Sequence, residues 1–234
     1  MNFEMSSMKH DNMLMENRVR DRYDAMSSAY ASTGKLFGGH RKDTTFALEI
    51  KSGNCILDLG CGPGVNFANI LQYLGKTGSL VGLDFSSKMI ERAELLIQNN
   101  KWKNVTTVVS DAAKLPFADG KFDRIIATYS ISVIPDYIHA IDEIERVLKP
   151  GGSVAILDGT LGKGLMRFIN PLIKLISKTP MSDITRPIKD EIAKRFIIDK
   201  VAEYDLGFTF LAVAHKKGKN MVKKVHETER IAHV

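Results

Sequence analysis

Cysteine is scarce in this chain: there are two in 234 residues, Cys55 and Cys61, six positions apart. A pair so spaced makes neither a disulfide framework nor a zinc pattern, so no metal is expected and a reducing cytoplasm is the expected home. Long apolar runs are also missing. The longest candidate, Gly164–Ser177, is interrupted by Arg167, Pro171 and Lys174, and it falls short of the roughly 18 residues that span a bilayer. The amino terminus lacks a charged start leading into an apolar stretch, so no secretory signal is expected. No unit recurs at roughly 20–50 residue spacing, which sets aside solenoids and propellers.

What is present is the balance of a soluble globular protein, 44% apolar and 26% charged. The length suggests one domain with extensions. Residues 1–17 hold five of the ten methionines and little periodicity, and read as a flexible leader. Residues 18–215 read as the domain and 216–234 as a basic tail. The net charge of +6 is unevenly placed. Thr160–Lys200 carries nine Lys/Arg against four Asp/Glu, and His215–Val234 six against two. A solvated basic face explains this; attraction to an anionic surface is the sharper alternative.

Glu16–Tyr30 is predicted helical, with Tyr23, Met26 and Tyr30 on one face, and Phe46–Glu49 ends a further helix. From Cys55 the pattern alternates. Strands are predicted at Ile56–Leu59, Leu80–Leu83, Val105–Val109, Phe122–Thr128 and Ser153–Leu157. Helices are predicted at Phe67–Leu74, Lys88–Asn99 and Tyr137–Leu148, the last stopped by Lys149-Pro150-Gly151-Gly152. Such alternation builds a mostly parallel sheet covered on both faces, an α/β Rossmann-like class. Lys163–Ser177 is predicted helical with a kink at Pro171. Phe196–Asp205 and Phe208–Ala214 are expected to form an antiparallel hairpin at the sheet edge, with a helix over Phe196–Tyr204 as the alternative.

The most informative stretch is Leu57-Asp58-Leu59-Gly60-Cys61-Gly62-Pro63-Gly64, which follows a strand and opens a helix. In an open α/β sheet, ligands bind beyond the carboxyl ends of the strands, and glycines there let a ligand lie on bare backbone. A structural turn or a dinucleotide fingerprint could produce such a loop. The spacing, however, is G-x-G-x-G, and no Gly-Lys-Ser/Thr follows, which excludes a P-loop. Asp58 is placed to accept from a ligand amine. Asp84, at the tip of the next strand, can accept from two vicinal ribose hydroxyls. Asp111-Ala112 follows the third strand, where a carboxylate can accept from an adenine amine, and Thr128-Tyr129-Ser130 follows the fourth.

With these residues in place, the sequence resembles the class I S-adenosylmethionine-dependent methyltransferases. The run Leu115–Asp123 and the element Tyr23–Tyr30 are similar to the branch holding the quinone C-methyltransferases. Tyr129–Asp136 and Leu206–Leu211 resemble bacterial phosphatidylethanolamine N-methyltransferases. One departure is Val133-Ile134-Pro135, where quinone enzymes commonly carry Asn-Val. The resemblance implies S-adenosyl-L-methionine as cofactor, bound by Asp58, Gly60, Cys61, Gly62, Gly64, Asp84, Phe85, Met89, Asp111, Ala112, Tyr129 and Ser130.

No catalytic residue stands out, since a sulfonium carries an already activated methyl and positioning supplies most of the rate. Tyr23, Tyr30 and Tyr129 are candidates to line the transfer channel, Tyr23 and Tyr30 on the substrate side, with rings that can face a cation. His40 and His139 are candidate bases. The expected acceptor is a small molecule or lipid, with N-methylation of a phospholipid amine headgroup first and C-methylation of a quinone precursor, or an RNA or protein acceptor, as alternatives. Lys163–Ser177, together with Lys216, Lys217, Lys219, Lys223 and Lys224, motivates peripheral membrane association. Nucleic acid is not an expected partner, because no Asn-Pro-Pro-Tyr-like tetrapeptide follows the fourth strand.

Overall fold

A computed structural model describes residues 38–162, 167, 168, 170, 171 and 183–217. The expected leader, the helix bearing Tyr23 and Tyr30, most of Lys163–Ser177 and the tail beyond Lys217 lie outside the described residues.

Among the described residues seven strands form one sheet in the order β3-β2-β1-β4-β5-β7-β6. They are β1 (Cys55–Leu59), β2 (Ser79–Asp84), β3 (Val105–Val109), β4 (Phe122–Thr128), β5 (Leu148–Gly159), β6 (Phe196–Tyr204) and β7 (Thr209–Lys216). The first five pair in parallel, whereas β7 runs antiparallel to both β5 and β6. The expected hairpin is therefore present. Its second strand lies inside the sheet and its first forms the edge.

The helices are α1 (Gly38–Ala47), α2 (Phe67–Leu74), α3 (Ser87–Asn100), α4 (Tyr137–Val147) and α5 (Ile188–Arg195). Strand side chains alternate between two separate cores, as period-2 geometry requires. Leu57, Ile125, Val154, Ile156 and Ala212 join Ile141, Ile144 and Ile192, from α4 and α5, on one face. Ile56, Ile126, Ala155, Leu157 and Leu211 join Phe67, Ile70 and Ile90, from α2 and α3, on the other. Burial on both faces explains why these strands read as nearly continuous apolar runs.

Three sequence expectations need correction. Lys149–Gly152 ends α4 but does not break the chain into a separate turn: β5 already begins at Leu148, and its pairing with β4 shifts register between Phe122 and Arg124. The turn residues form an irregularity within a strand. Helix α5 was not anticipated, because its eight residues offer only Ile188 and Ile192 as an apolar pair. Lys216 is not free to face an anionic surface, since its ammonium donates to the carbonyls of Glu145 (2.5 Å) and Leu148 (3.0 Å) around the end of α4, where a cation also meets the negative end of the helix dipole. Among the described residues no helix is long and apolar enough to cross a membrane.

Candidate active site

Strand order reverses between β1 and β4, so the loops after these two strands diverge and open a crevice. A cavity of about 870 Å³, including the space at its open mouth, lies there. Gly60, Gly62, Asp84, Phe85, Met89, Asp111, Ala112, Tyr129 and Ser130, nine of the residues singled out from the sequence, line it together. Leu83, Ser86, Ser110 and Val133–Asp136 complete the lining.

The glycine loop is folded back onto the end of β2. The amides of Gly60 and Cys61 both donate to the Leu83 carbonyl, at 2.8 and 2.9 Å. Gly60 has φ +68°, and a Cβ there would lie 2.4 Å from the Ser130 Cβ. Gly62 has φ +55°, but a Cβ there would meet nothing within 4 Å. Gly60 thus serves the packing of β1 against β4, while Gly62 leaves bare backbone at the cavity. The carboxylate of Asp84 accepts from the Gly62 amide and the Ser86 amide, both at 2.9 Å. Asp111 accepts from the Ala113 amide at 2.9 Å, fixing its carboxylate at the end of β3.

Asp58, Cys61 and Gly64 lie behind this lining. Asp58 is fully buried, and the Asn66 amide donates to both its oxygens at 3.0 and 3.2 Å. Burial pushes its carboxyl up to about 7, against the lowering effects of Asn66 and of the Arg41 charge. Arg41, on α1, reaches in to donate to Asn66 and to the Thr128 hydroxyl. Asn66 also donates to Thr128 at 3.0 Å. A carboxylate placed to meet a ligand amine is therefore tied to its own protein network, one layer below the cavity. The Cys61 side chain is buried, and burial holds its thiol well above the usual range. Gly64 faces the Phe67 ring. Arg41 and Asn66 carry no local signal; only the tertiary structure brings them to Asp58.

On the far side of the cavity, Tyr129 has φ +54° and its amide donates to the Leu157 carbonyl at 2.7 Å. The Arg41 guanidinium lies 5.1 Å from its ring centroid. Burial chiefly pushes its phenol up to about 12, so it stays a neutral hydrogen-bonding group at physiological pH. His40, one of the candidate bases, sits beside that phenol, with Nδ1 3.4 Å from the hydroxyl. His139, the other, is mostly exposed on α4 and pairs with Asp136 one turn earlier, at 2.7 Å. Beyond Tyr129 the apolar residues Val133-Ile134-Pro135 continue the wall. Arg186 fixes this loop from outside by donating to the carbonyls of Ile131 and Ile134. The buried Asp158 accepts from the Ser132 amide at 3.0 Å.

The lining suits an adenosine-like ligand carrying positive charge. Asp84 offers a bidentate acceptor for vicinal hydroxyls, Asp111 an acceptor for an amine, and Phe85, Met89 and Ala112 an apolar surface between them. Three carboxylates in one cavity, Asp84, Asp111 and Asp136, oppose a pyrophosphate, which argues against a dinucleotide. The open space at Gly62 is where the ligand's chain would cross the backbone.

A mostly parallel sheet of this order, with such a cavity at its switch point, defines the Rossmann-like α/β fold of S-adenosylmethionine-dependent methyltransferases. The comparisons agree. A family model described as a methyltransferase domain matches residues 50–225, well over half of the chain, and the chain belongs to that family. A demethylmenaquinone methyltransferase from Bacillus cereus is 33% identical over 144 residues, 60% of this chain and 59% of the relative. The chain thus spans about three fifths of the length of the curated relatives it matches. Among solved structures, a SAM-dependent methyltransferase from Aquifex aeolicus shares the fold with TM-score 0.62 at 20% identity, over 75% of this chain and 89% of that one. Geranyl diphosphate C-methyltransferase from Streptomyces coelicolor, solved with Mg²⁺, geranyl diphosphate and S-adenosyl-L-homocysteine, has TM-score 0.67 at 15% identity, over 78% and 80%. The chain thus carries a methyltransferase domain, and its cavity suits S-adenosyl-L-methionine.

Proposed function

We propose that this chain transfers a methyl group to a ring carbon of a hydroquinone, the reduced form of a quinone precursor. The cavity carries this reading: it runs without a break from the adenosine-binding end to the apolar wall of Val133, Ile134 and Pro135 beyond Tyr129. A flat, apolar acceptor fits against Val133, Ile134 and Pro135. The name of the 33% identical relatives, demethylmenaquinone methyltransferase, supports the same acceptor class. It lends nothing to the phospholipid amine, which the sequence alone put first. The stretch Lys163–Ser177 that motivated that reading lies mostly outside the described residues.

When bound, S-adenosyl-L-methionine supplies an electrophilic methyl on a sulfonium. The residues that would hold it are Gly60, Gly62, Asp84, Phe85, Met89, Asp111, Ala112, Tyr129 and Ser130 at the lining, with Asp58, Cys61 and Gly64 supporting the loop from behind. The oxidation level of the acceptor follows from the chemistry. A quinone ring carbon is electron-poor and cannot attack a sulfonium methyl, whereas the dihydroxy form can. A reducing step must therefore precede this enzyme.

The test uses methyl-labelled S-adenosylmethionine with a 2-prenyl-1,4-naphthoquinone, either oxidised or reduced by dithionite, and with phosphatidylethanolamine vesicles in parallel. Label should enter only the reduced naphthoquinone. Label in the phospholipid, or in neither acceptor, overturns the proposal.

A further inference from the structure

We infer that His40, acting through the Tyr129 hydroxyl and balanced by Asp205, takes up the hydroxyl proton of the acceptor. The inference rests on the hydroquinone reading and deepens it by naming the groups that generate the nucleophile.

The three residues come from three separate parts of the fold. His40 lies in the first turn of α1, Tyr129 directly follows β4, and Asp205 begins the turn between β6 and β7. The imidazole Nδ1 is 3.4 Å from the Tyr129 hydroxyl and 3.6 Å from the Asp205 carboxylate. The proton donor and the counter-charge for the protonated ring thus meet the same nitrogen. The ring is held in place by stacking on Tyr204, with centroids 4.5 Å apart at 30°. Tyr204 is in turn bonded by the Asp43 side chain, one turn further along α1. The Thr209 side chain hydrogen-bonds the Tyr129 phenol, and Arg41 lies against the face of its ring. Tyr129 lines the cavity while His40 does not, so Tyr129 is the residue through which His40 would reach an acceptor. The charged groups around the imidazole are Asp205 and Asp43, with Arg41 beneath the tyrosine.

The step balances as follows. The acceptor O–H bond breaks and its proton passes to the Tyr129 oxygen, as the tyrosine's own proton moves to Nδ1 of His40. The electron pair released into the ring forms a carbon–carbon bond to the methyl. The S–CH₃ bond breaks with its pair kept by sulfur, which becomes a neutral thioether. The methylated ring carbon then loses its hydrogen as a proton to water while His40 returns its proton to the oxygen, restoring the hydroquinone. One proton is released overall and nothing is oxidised or reduced.

Two measurements test this on the full chain. First, His40→Ala should lower kcat on the dithionite-reduced naphthoquinone by about 10²–10⁴-fold, and added imidazole should restore part of it. Calorimetric affinity for S-adenosylhomocysteine and thermal stability should stay near those of the unaltered protein. Asp205→Asn should give a smaller loss that imidazole does not relieve. Second, 1-naphthol bound with S-adenosylhomocysteine should show the red-shifted absorption of a naphtholate in the unaltered protein and lose it in His40→Ala. A kcat within about threefold of the unaltered protein, or a loss that imidazole leaves unchanged, overturns the role of His40. If the unaltered protein leaves reduced naphthoquinone unmethylated, the hydroquinone reading fails. The naphthol spectrum still decides the proton acceptor: a His40-dependent naphtholate band upholds it and its absence refutes it.

Discussion

Gly60→Ala and Gly62→Ala place the same methyl group two residues apart in one loop, and they should fail in opposite ways. Both residues have positive φ, +68° and +55°, where an L side chain costs roughly 1–2 kcal/mol. At Gly60 the new Cβ would also lie 2.4 Å from the Ser130 Cβ. Ser130 cannot step aside freely, because its hydroxyl donates to the Leu59 carbonyl at 3.0 Å on the neighbouring strand. Overpacking of that kind adds about 1–3 kcal/mol, for a total of roughly 2–5 kcal/mol of lost stability. At Gly62 nothing lies within 4 Å of the new atom, so only the backbone term remains. A loss of 1 kcal/mol lowers Tm by about 2–4 °C in a chain of this size. Gly62→Ala should therefore fall by a few degrees and Gly60→Ala by about 5–20 °C. Cofactor binding should show the reverse sensitivity, since a methyl at Gly62 projects into ligand space. Gly62→Ala, and more so Gly62→Val, should lose S-adenosylhomocysteine affinity while remaining folded. Differential scanning fluorimetry and titration calorimetry on the same preparations separate the two effects. Equal Tm shifts at the two sites, or full affinity in Gly62→Val, would refute the assignment of packing to one glycine and ligand space to the other.

Asp84→Ala should weaken S-adenosylhomocysteine binding by about 1–3 kcal/mol, roughly 5–150-fold, because ligand hydroxyls and the Gly62 and Ser86 amides lose their acceptor; unchanged calorimetric affinity would count against Asp84 as the hydroxyl acceptor. Asp58 should make stability fall as pH rises from about 4 to 7. The unfolded chain releases this proton near 3.8 and the folded chain only near 7, so folding takes up a proton within that window and the advantage is lost above it. Asp58→Asn should flatten this part of the Tm–pH curve, by up to about 4 kcal/mol across the window, and a curve parallel to that of the unaltered protein would remove Asp58 as its source. Arg186→Met should raise KM for the acceptor while leaving cofactor affinity intact, because Arg186 holds the carbonyls of Ile131 and Ile134 in the acceptor loop; a change confined to cofactor affinity would contradict that placement.

The parallel strands and the cofactor loop were legible because their signals are local. β3 and β4 match the expected bounds, Val105–Val109 and Phe122–Thr128, since β3 is β-branched throughout and β4 carries the apolar Ile125–Ala127 after the Asp119-Gly120 turn. Nine of the twelve residues named for the cofactor meet at one cavity because they follow strand ends, and the sheet aligns strand ends by construction. Asp58 lies beneath the cavity for a physical reason. Its position two residues before Gly60 suggests exposure to the ligand, yet period-2 alternation and the shielding amide of Asn66 put it in the layer beneath. Nothing near Asp58 in sequence announces Arg41, 17 residues earlier, as the cation of that network. Helix α5 stayed hidden because two isoleucines in eight residues make no readable stripe. It is held by the contact of Ile188 and Ile192 with the core shared by α4, which is a tertiary effect.

Backbone strain separates the two halves of the site. Among the described residues, five other than glycine have positive φ: Glu49, Lys101, Tyr129, Asp205 and Leu206. Lys101 caps α3 in the left-handed conformation that commonly ends helices, and Glu49 follows the end of α1, so these two need no functional explanation. The other three do. Asp205 and Leu206 are consecutive in a tight turn, and Tyr129 stands at the end of β4 where glycine or asparagine would be at ease. Strain of this kind costs on the order of 1–3 kcal/mol per residue and persists only where neighbouring structure fixes the chain. Here the fixing contacts are the Leu157 carbonyl for the Tyr129 amide and the closure of Phe208 onto Asp205, with 3.1 Å between amide and carbonyl. The result is that a tyrosine and an aspartate from opposite sides of β5 both reach His40. The cofactor half of the cavity uses glycine for its positive φ and bears little strain. The acceptor side uses Tyr129, with Asp205 behind the cavity wall at His40, and it bears the strain. That division places the chemistry specific to this enzyme on the Tyr129 side, and it means that Tyr129→Gly should relieve backbone strain while removing the hydroxyl through which His40 acts. The expected outcome is a Tm that falls by less than burial of the ring implies, because the relieved strain of about 1–3 kcal/mol offsets part of the lost packing, together with loss of methyl transfer. Tyr129→Phe keeps the strain and the ring. It should lose transfer as well, with its Tm close to that of the unaltered protein. A Tyr129→Phe protein that still methylates the reduced naphthoquinone at the normal rate would show that the strained backbone serves the shape of the cavity and not the hydroxyl.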